Sequence, residues 1–309
     1  MRNLVDRLKG QPSKFFKAWN QFWFAPQDLL GLAMMRILLC GTMFYMYLAR
    51  SANLSYYGMD AWVTKENALS ALPELYRPLF LWAFWPDSLN FVMHSLMIAL
   101  LALLTLGVGG RWIMWGAWVI SAGFIQRNYA VNFGADIIAS LFLFYMCFTQ
   151  SCERLSILNL VRKKTEFKKS DILSSTMMRM MQVQICVIYA YTGFEKLKGG
   201  SWWDGTALWS VLANPQMTTF DLSFVRGTPW IIPIIAYITV LFEVYFPVMV
   251  AWPKYRNLWL LLGVFFHAGI GIFMGLGPFA TTMLSTYFLF LDVDLLDNAI
   301  KRLRPTSQN

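Results

Sequence analysis

Charge is scarce in this 309-residue chain: Asp, Glu, Lys and Arg make up 14% of it, against about 25% in an average soluble domain. No polar stretch is long enough to build a separate soluble domain. Histidine is nearly absent, with two residues and no acidic cluster near either, which argues against a protein-bound metal site. The four cysteines, Cys40, Cys147, Cys152 and Cys186, have no metal-ligand spacing. Three lie in apolar runs and Cys152 just past one, so no disulfide framework is indicated. A phosphate loop, a GxSxG elbow and an HExxH pair are all missing. So is an obvious inverted repeat of broken helices, which weakens a transporter reading. The first 24 residues hold basic residues and a WNQFWF patch, but no apolar core before a small-residue cleavage site. A cleavable signal peptide is therefore not expected.

Apolar side chains fill the space that charge leaves. Hydrophobic residues are 57% of the chain and aromatic residues 17%, arranged in runs of membrane-spanning length, each about 20 residues. The expected fold is all-α, a polytopic integral membrane helical bundle. Eight spans are read, at 28–50, 89–109, 112–130, 134–150, 176–197, 230–252, 257–275 and 277–292. The third, fourth and eighth are short, as in a bundle of tilted and partly broken helices. Residues 1–27 read as an interfacial amphipathic segment with Phe15, Phe16, Trp19, Phe22 and Trp23 on one side, or as a tail packed on the bundle. Residues 28–293 form the transmembrane domain and 294–309 a basic tail.

The net charge of +9 is assigned to loops facing the cytoplasm rather than to nucleic acid. With the N-terminus in the cytoplasm, 18 of the 26 basic residues fall in cytoplasmic pieces and seven outside, with Arg36 inside the first span. That satisfies the positive-inside rule with both termini cytoplasmic. The two long outer loops, 51–88 and 198–229, carry turn residues and short apolar pieces. They read as short extracytoplasmic amphipathic helices over the bundle mouth.

Charges inside spans are costly and usually face the bundle interior. The candidates are Arg36, His94, Asp136, Glu195, Lys196, Glu243 and His267, with Asn132, Gln182, Gln184 and Tyr189 among uncharged polar groups. Stepping back from Lys196 by three and four residues meets Gly193, Thr192, Tyr189, Cys186, Ile185 and Gln182 on one helical face. That small or polar face belongs against protein or a cavity. A desolvated lysine there is a candidate general base; the plainer alternative is a lysine snorkelling to the interface beside a tryptophan belt. Glu195 lies about 100° round the helix from it and need not share its site. Trp202 and Trp203 read as interface anchors, and Asp204 with Gly205 as a turn or helix start. His267 sits between Gly263 and Gly271, either hydrogen-bonded between helices or functional. Glu243 lies four residues before Pro247 and reads as a charge holding helices together, with Arg36 as a partner. RNYAVNFGAD, with Asn132 and Asp136, is either a capped turn near a positive helix start or cavity lining.

Four pieces in this order resemble the HTTM (horizontally transferred transmembrane domain) family, which is related to vitamin K-dependent γ-carboxylase. They are LGLAMMRILL, RNYAVNFGAD followed by a span ending in SCERLSI, YTGFEKLKGGSWWDG, and the stretch FEVYFPVMVAWPKYRNLWLLLGVFFHAGIGIFMGLGPF. The resemblance implies an extracytoplasmic-facing site in which Lys196 is the catalytic base. His267, Asp136, Tyr189, Asn132, Trp203 and Gln182 would line a substrate site. Arg36, Glu243 and Gly205 would be structural, and no metal is called for. The implied cofactor is a quinone or hydroquinone of menaquinone or vitamin K type, and the implied location a bacterial cytoplasmic (inner) membrane. The chain departs from the carboxylase in two ways. Glu195 replaces the first of two lysines, and a basic tail stands where the carboxylase carries a large extracytoplasmic region. Two further readings stay open. One is a non-enzymatic accessory protein that binds or matures a secreted peptide with partner subunits, as one bacterial branch of the family resembles. The other is a small-solute transporter using Glu243 and His267.

Overall fold

A chain this apolar, placed in lipid, must satisfy its backbone polar groups within itself, and helices do so segment by segment. The computed structural model describes residues 14–57, 63–164 and 166–292, and among the described residues every regular element is helical. Eight principal helices run α1 Leu30–Arg50, α2 Asn90–Thr105, α3 Gly110–Arg127, α4 Gly134–Met146, α5 Ile172–Lys198, α6 Ile231–Ala251, α7 Pro253–Phe273 and α8 Gly277–Ser285. A 3-10 turn, Thr286–Leu289, extends α8. Each principal helix falls on one of the apolar stretches read from the sequence. Four segments are long and apolar enough to cross a membrane: Leu30–Ser55, Asp87–Thr105, Ile231–Ala251 and Pro253–Phe273. Gly134–Met146 is a shorter apolar helix. The longest helix, α5, starts four residues earlier than expected because Asp171 caps it; Asp171 Oδ1 accepts from the Ser174 N–H at 2.8 Å.

The expected outer loops are built of short helices, including Lys65–Ala71, Arg77–Phe80, Gly200–Trp203 and Trp209–Leu212. Residues 14–24 are helical, with Phe15, Phe16, Trp19 and Phe22 exposed. The rest of the expected interfacial segment, residues 1–13, and the basic tail 294–309 lie outside the described residues.

Helices α1 to α4 pack in sequence as one lobe, and α5, α6 and α7 as another. Helix α8 lies between the lobes, touching α1, α4 and α7. Leu39, Met97, Phe142, Met181 and Phe246 fill the shared core. The outer surface is apolar too: Phe91, Ile137, Val187, Ile238 and Phe265 are exposed. So large an apolar surface marks a molecule covered by something other than water, and with the four long apolar helices it makes this an integral membrane protein.

Two glycines set how closely the second lobe packs. A Cβ on Gly193 of α5 would stand 2.9 Å from the backbone N of Val244 in α6. A Cβ on Gly263 of α7 would stand 2.7 Å from Cζ of Tyr287. Small residues at such crossings let backbones approach. Gly193→Val should therefore destabilise the protein by about 1–3 kcal/mol, read as a lower melting temperature in detergent. Gly269→Val, at a position with nothing within 4 Å of an added Cβ, should cost clearly less. Equal losses at the two positions would rule out a tight crossing at Gly193.

Asp171 gives a pH test. Burial pushes its carboxyl up, but bonds from Ser174 and Arg111, whose Nη2 lies 2.7 Å from Oδ2, outweigh it and hold the group below its ordinary value. The stability it supplies is thus full above the unfolded carboxylate value of about 4 and is lost as pH falls through the lower folded value. Asp171→Ala should cost about 1 kcal/mol at neutral pH. The gap between variant and wild type should close as the melting experiment is moved to acid.

Candidate functional site

The face of α5 read from the sequence does turn towards protein. Ile185, Tyr189 and Gly193 are buried, and Gln182, Cys186, Thr192 and Lys196 are half-buried. Helix α6 lies along this face. Because Gly193 lets the two backbones touch, Lys196 reaches Glu243 of α6. Its Nζ donates to both carboxylate oxygens, at 3.0 and 2.7 Å. The Glu243 side chain is 7% exposed and that of Lys196 22%. Above the ammonium, the Trp202 ring centroid lies 5.4 Å from Nζ. A carboxylate at hydrogen-bond distance and an indole face both attract an ammonium group. The Lys196 ammonium is therefore held from two sides, while about a fifth of the side chain stays open.

Two helical turns back on the same face, Tyr189 carries a second polar group into the core. Its hydroxyl lies 2.5 Å from His267 Nε2 and 2.6 Å from the Tyr287 hydroxyl. All three residues are buried. Phe246 stacks on the Tyr189 ring with centroids 3.9 Å apart, and Phe242 meets it edge-on. The Gly263 position leaves the room that Tyr287 occupies. His267 Nδ1 has no hydrogen-bond partner among the described residues.

Other expected residues sit elsewhere. Arg36 does not pair with Glu243. It is fully buried and donates to the carbonyls of Ser151 and Leu155, each at 2.7 Å, and of Arg154 at 3.3 Å. The turn after α4 presents unsatisfied carbonyls, and a guanidinium can answer several at once. Asp136 pairs with Arg50 and accepts the Phe133 N–H, at 3.2 Å, at the start of α4. Asn132 donates to the Ile125 carbonyl at 2.7 Å. Both therefore knit α1, α3 and α4, and their bonds do not run to Lys196. Trp203 is 65% exposed, donates to the Leu197 carbonyl and accepts from Tyr237; its neighbour Trp202 is the indole over Lys196. Gln182 is 14 residues before Lys196, about 21 Å along the helix, and donates to the Leu289 carbonyl. Gly205 has φ +75° and lies against Pro233, at the end of the turn begun by Trp203. Glu195 pairs with Lys198 at 2.6 Å on the exposed side of α5. His94 meets Ser51 at 3.0 Å. Among the described residues no group of His, Cys, Asp and Glu is arranged to hold a metal ion.

Sequence reading alone misses Tyr287 and Arg50, and it takes Trp202 for an interface anchor rather than a partner of Lys196. Tyr287 hides in an apolar run, and the one hint is Gly263, whose missing side chain makes space for it. Trp202 follows the helix break at Gly199, so helical spacing from Lys196 does not reach it. Arg50 ends its helix and enters the sequence reading only as one of the seven outer basic residues.

All of these residues fall within one family match: the profile of the HTTM domain covers residues 24–295. The chain belongs to the HTTM family. It is 23% identical over 295 residues to sporulation-delaying protein SdpB of Bacillus subtilis (strain 168), a match spanning 93% of this chain and 86% of that protein. No solved structure matches the chain.

In this HTTM protein the Lys196–Glu243 pair should show the asymmetry of buried ion pairs. Lys196→Met leaves Glu243 buried and alone, which typically costs about 3–5 kcal/mol. The double variant Lys196→Met/Glu243→Leu removes both charges and should recover most of that loss. Melting curves of the three proteins in one detergent decide it. Additive losses would mean that the two side chains do not interact.

Proposed function

We propose that this HTTM protein crosses the bacterial cytoplasmic membrane eight times, with both termini in the cytoplasm. Near the extracytoplasmic end of α5 it binds a quinone or hydroquinone with an apolar tail, and Lys196 serves as general base. The observation that supports this reading best is the Lys196–Glu243 pair, whose lysine side chain is 22% exposed and whose glutamate follows directly on Phe242, the centre of an aromatic cluster between α6 and α7. Phe242 stacks on Trp259 with centroids 5.8 Å apart and packs on Phe266 at 5.1 Å. Such a setting suits a flat apolar ring that carries a hydroxyl.

The chemistry follows from the pair. A charged lysine cannot accept a proton. Glu243 can take one from Lys196 across the 2.7 Å hydrogen bond, leaving both groups neutral, and exclusion of water by a bound apolar ring favours that neutral form. Neutral Lys196 then accepts the hydroxyl proton of the substrate, and the oxyanion forms beside the new ammonium. Tyr189, His267 and Tyr287 lie deeper on the same seam. In this reading they hold the ring-facing wall in place by hydrogen bonds rather than touching the reacting oxygen.

Lys196→Arg separates the chemistry from the fold. Arginine keeps the charge and the pairing with Glu243 but stays protonated. The variant should fold and retain the quinone, while any hydroquinone-dependent turnover falls at least about 100-fold, the ordinary contribution of a general base. Mass spectrometry of lipids and proteins kept through mild purification tests the substrate class. A prenyl quinone in stoichiometric amount supports the proposal.

The accessory reading has its own support in the loops. Leu75, Leu79 and Trp82 are exposed on one of the connections read as extracytoplasmic, where a secreted peptide or a partner subunit would dock. A stoichiometric peptide or protein in the same purification, with no quinone, would replace the first reading by this one.

A further inference from the structure

The other end of α5 carries a second set of cations. Arg179 is 17 residues before Lys196, about 25 Å along the helix, and with Arg256 of α7 it lines a cavity of about 530 Å³. Arg179 donates through Nε to the Phe22 carbonyl at 3.0 Å and through Nη1 to Gln182 at 2.7 Å. Arg256 donates through Nε to the Val250 carbonyl at 2.8 Å. These bonds orient both guanidiniums and leave donors over. No carboxylate pairs with either among the described residues. The two charges instead repel each other across the gap.

Gln27 and Gln182 also line the cavity, and its remaining walls are apolar. Val183 and Val187 continue it along α5, and Pro247 faces them from α6. Val183 is 41% and Val187 52% exposed, so this side opens onto the lipid-facing surface. Two unneutralised cations at one end of an apolar furrow match an amphiphile with an anionic head. Basic pockets between membrane helices recognise lipid head groups on this principle, and guanidiniums suit phosphate oxygens through paired hydrogen bonds.

We propose that an anionic phospholipid is seated here, its phosphate between Arg179 and Arg256 and one acyl chain along Val183 and Val187. The site is separate from the Lys196 pair and does not depend on the activity proposed for it. It closes the α5–α6–α7 end of the bundle by supplying an anion to two guanidiniums that the protein meets only with carbonyls, Gln182 and the Phe22 ring, whose centroid lies 4.9 Å from Arg179 Cζ.

The test uses the full-length protein in a neutral detergent, titrated with phosphatidylglycerol, phosphatidylcholine or inorganic phosphate, with bound lipid counted by native mass spectrometry and melting followed in parallel. Wild type should hold phosphatidylglycerol and melt higher with it, and should respond to neither phosphatidylcholine nor phosphate alone. Arg256→Gln should weaken the lipid about fivefold, the share of one basic residue near an anionic surface. Arg179→Gln/Arg256→Gln should abolish the preference. Because Arg179 also holds Phe22 and Gln182, a second variant guards against misfolding. Val187→Trp fills the apolar arm, leaves both arginines in place, and should also lose the lipid. Arg162→Gln, an exposed residue away from the cavity, should bind as wild type does. Equal binding of the two lipids, an equal effect of free phosphate, or full retention by the double arginine variant or by Val187→Trp would overturn the assignment. So would a loss in Arg162→Gln as large as in Arg256→Gln.

Discussion

A charge that leaves water for the interior of an apolar bundle needs a partner there, because the alternative costs several kcal/mol. Arg36, Arg127, Asp136 and Glu243, buried charges among the described residues, are each answered, and the kind of answer differs. Arg36 is closed by three carbonyls of the turn after α4. Arg127 is closed by the Tyr57 and Trp85 carbonyls and by Asp87. Asp136 is closed by Arg50 and a backbone N–H. These three tie helix ends to their loops. Lys196 is the one lysine among these four sites; it meets the Glu243 carboxylate, with an aromatic face on its other side and part of its length open. The arginines at the other sites stay protonated whatever they meet, whereas a lysine can release a proton to a carboxylate. That chemical difference is why the proposed proton transfer is placed at the Lys196–Glu243 pair.

The helices were legible because lipid imposes a length and a composition on them. Arg50 and Lys198 mark helix ends, and the apolar runs between such marks became α1 to α8. The face of α5 was legible too, since residues three and four apart must share a side. Pairing across helices was not. Nothing in local spacing says that Lys196, 47 residues from Glu243, is its neighbour, and Arg36 was an equally good arithmetical partner. The structure decides by a steric fact, the absence of a side chain at Gly193, which sets α5 against α6 at the height of Glu243. Tyr287 was out of reach for the same reason: its place beside Tyr189 follows from the packing of α8 between two lobes, and hydropathy is blind to that.

The polar groups of the second lobe form a seam rather than a cluster. Lys196 and Glu243 occupy its open end. Tyr189, His267 and Tyr287 follow below, and Arg179 with Arg256 closes the far end. Every member of the seam lies on α5, α6, α7 or the extension of α8. The first lobe contributes none of them and instead spends its polar residues on α1, α3, α4 and the connecting loops. The seam is therefore the part of the bundle whose polar content exceeds what holding the helices together requires.

Glu195 bears on how far the resemblance to the γ-carboxylase reaches. The sequence motif there has two lysines, and the first is glutamate here, which on the sequence alone counts against shared chemistry. In the folded protein Glu195 points away from the seam, and its carboxylate is held at 2.6 Å by Lys198 on the exposed side of α5. The replacement therefore alters the outer face of the helix and leaves untouched the face that carries Lys196, Tyr189 and Gly193. A change at Glu195 is felt by whatever packs outside α5, while Lys196 and its carboxylate partner keep their geometry. The departure that weighed most against a common reaction falls outside the site where the reaction would occur.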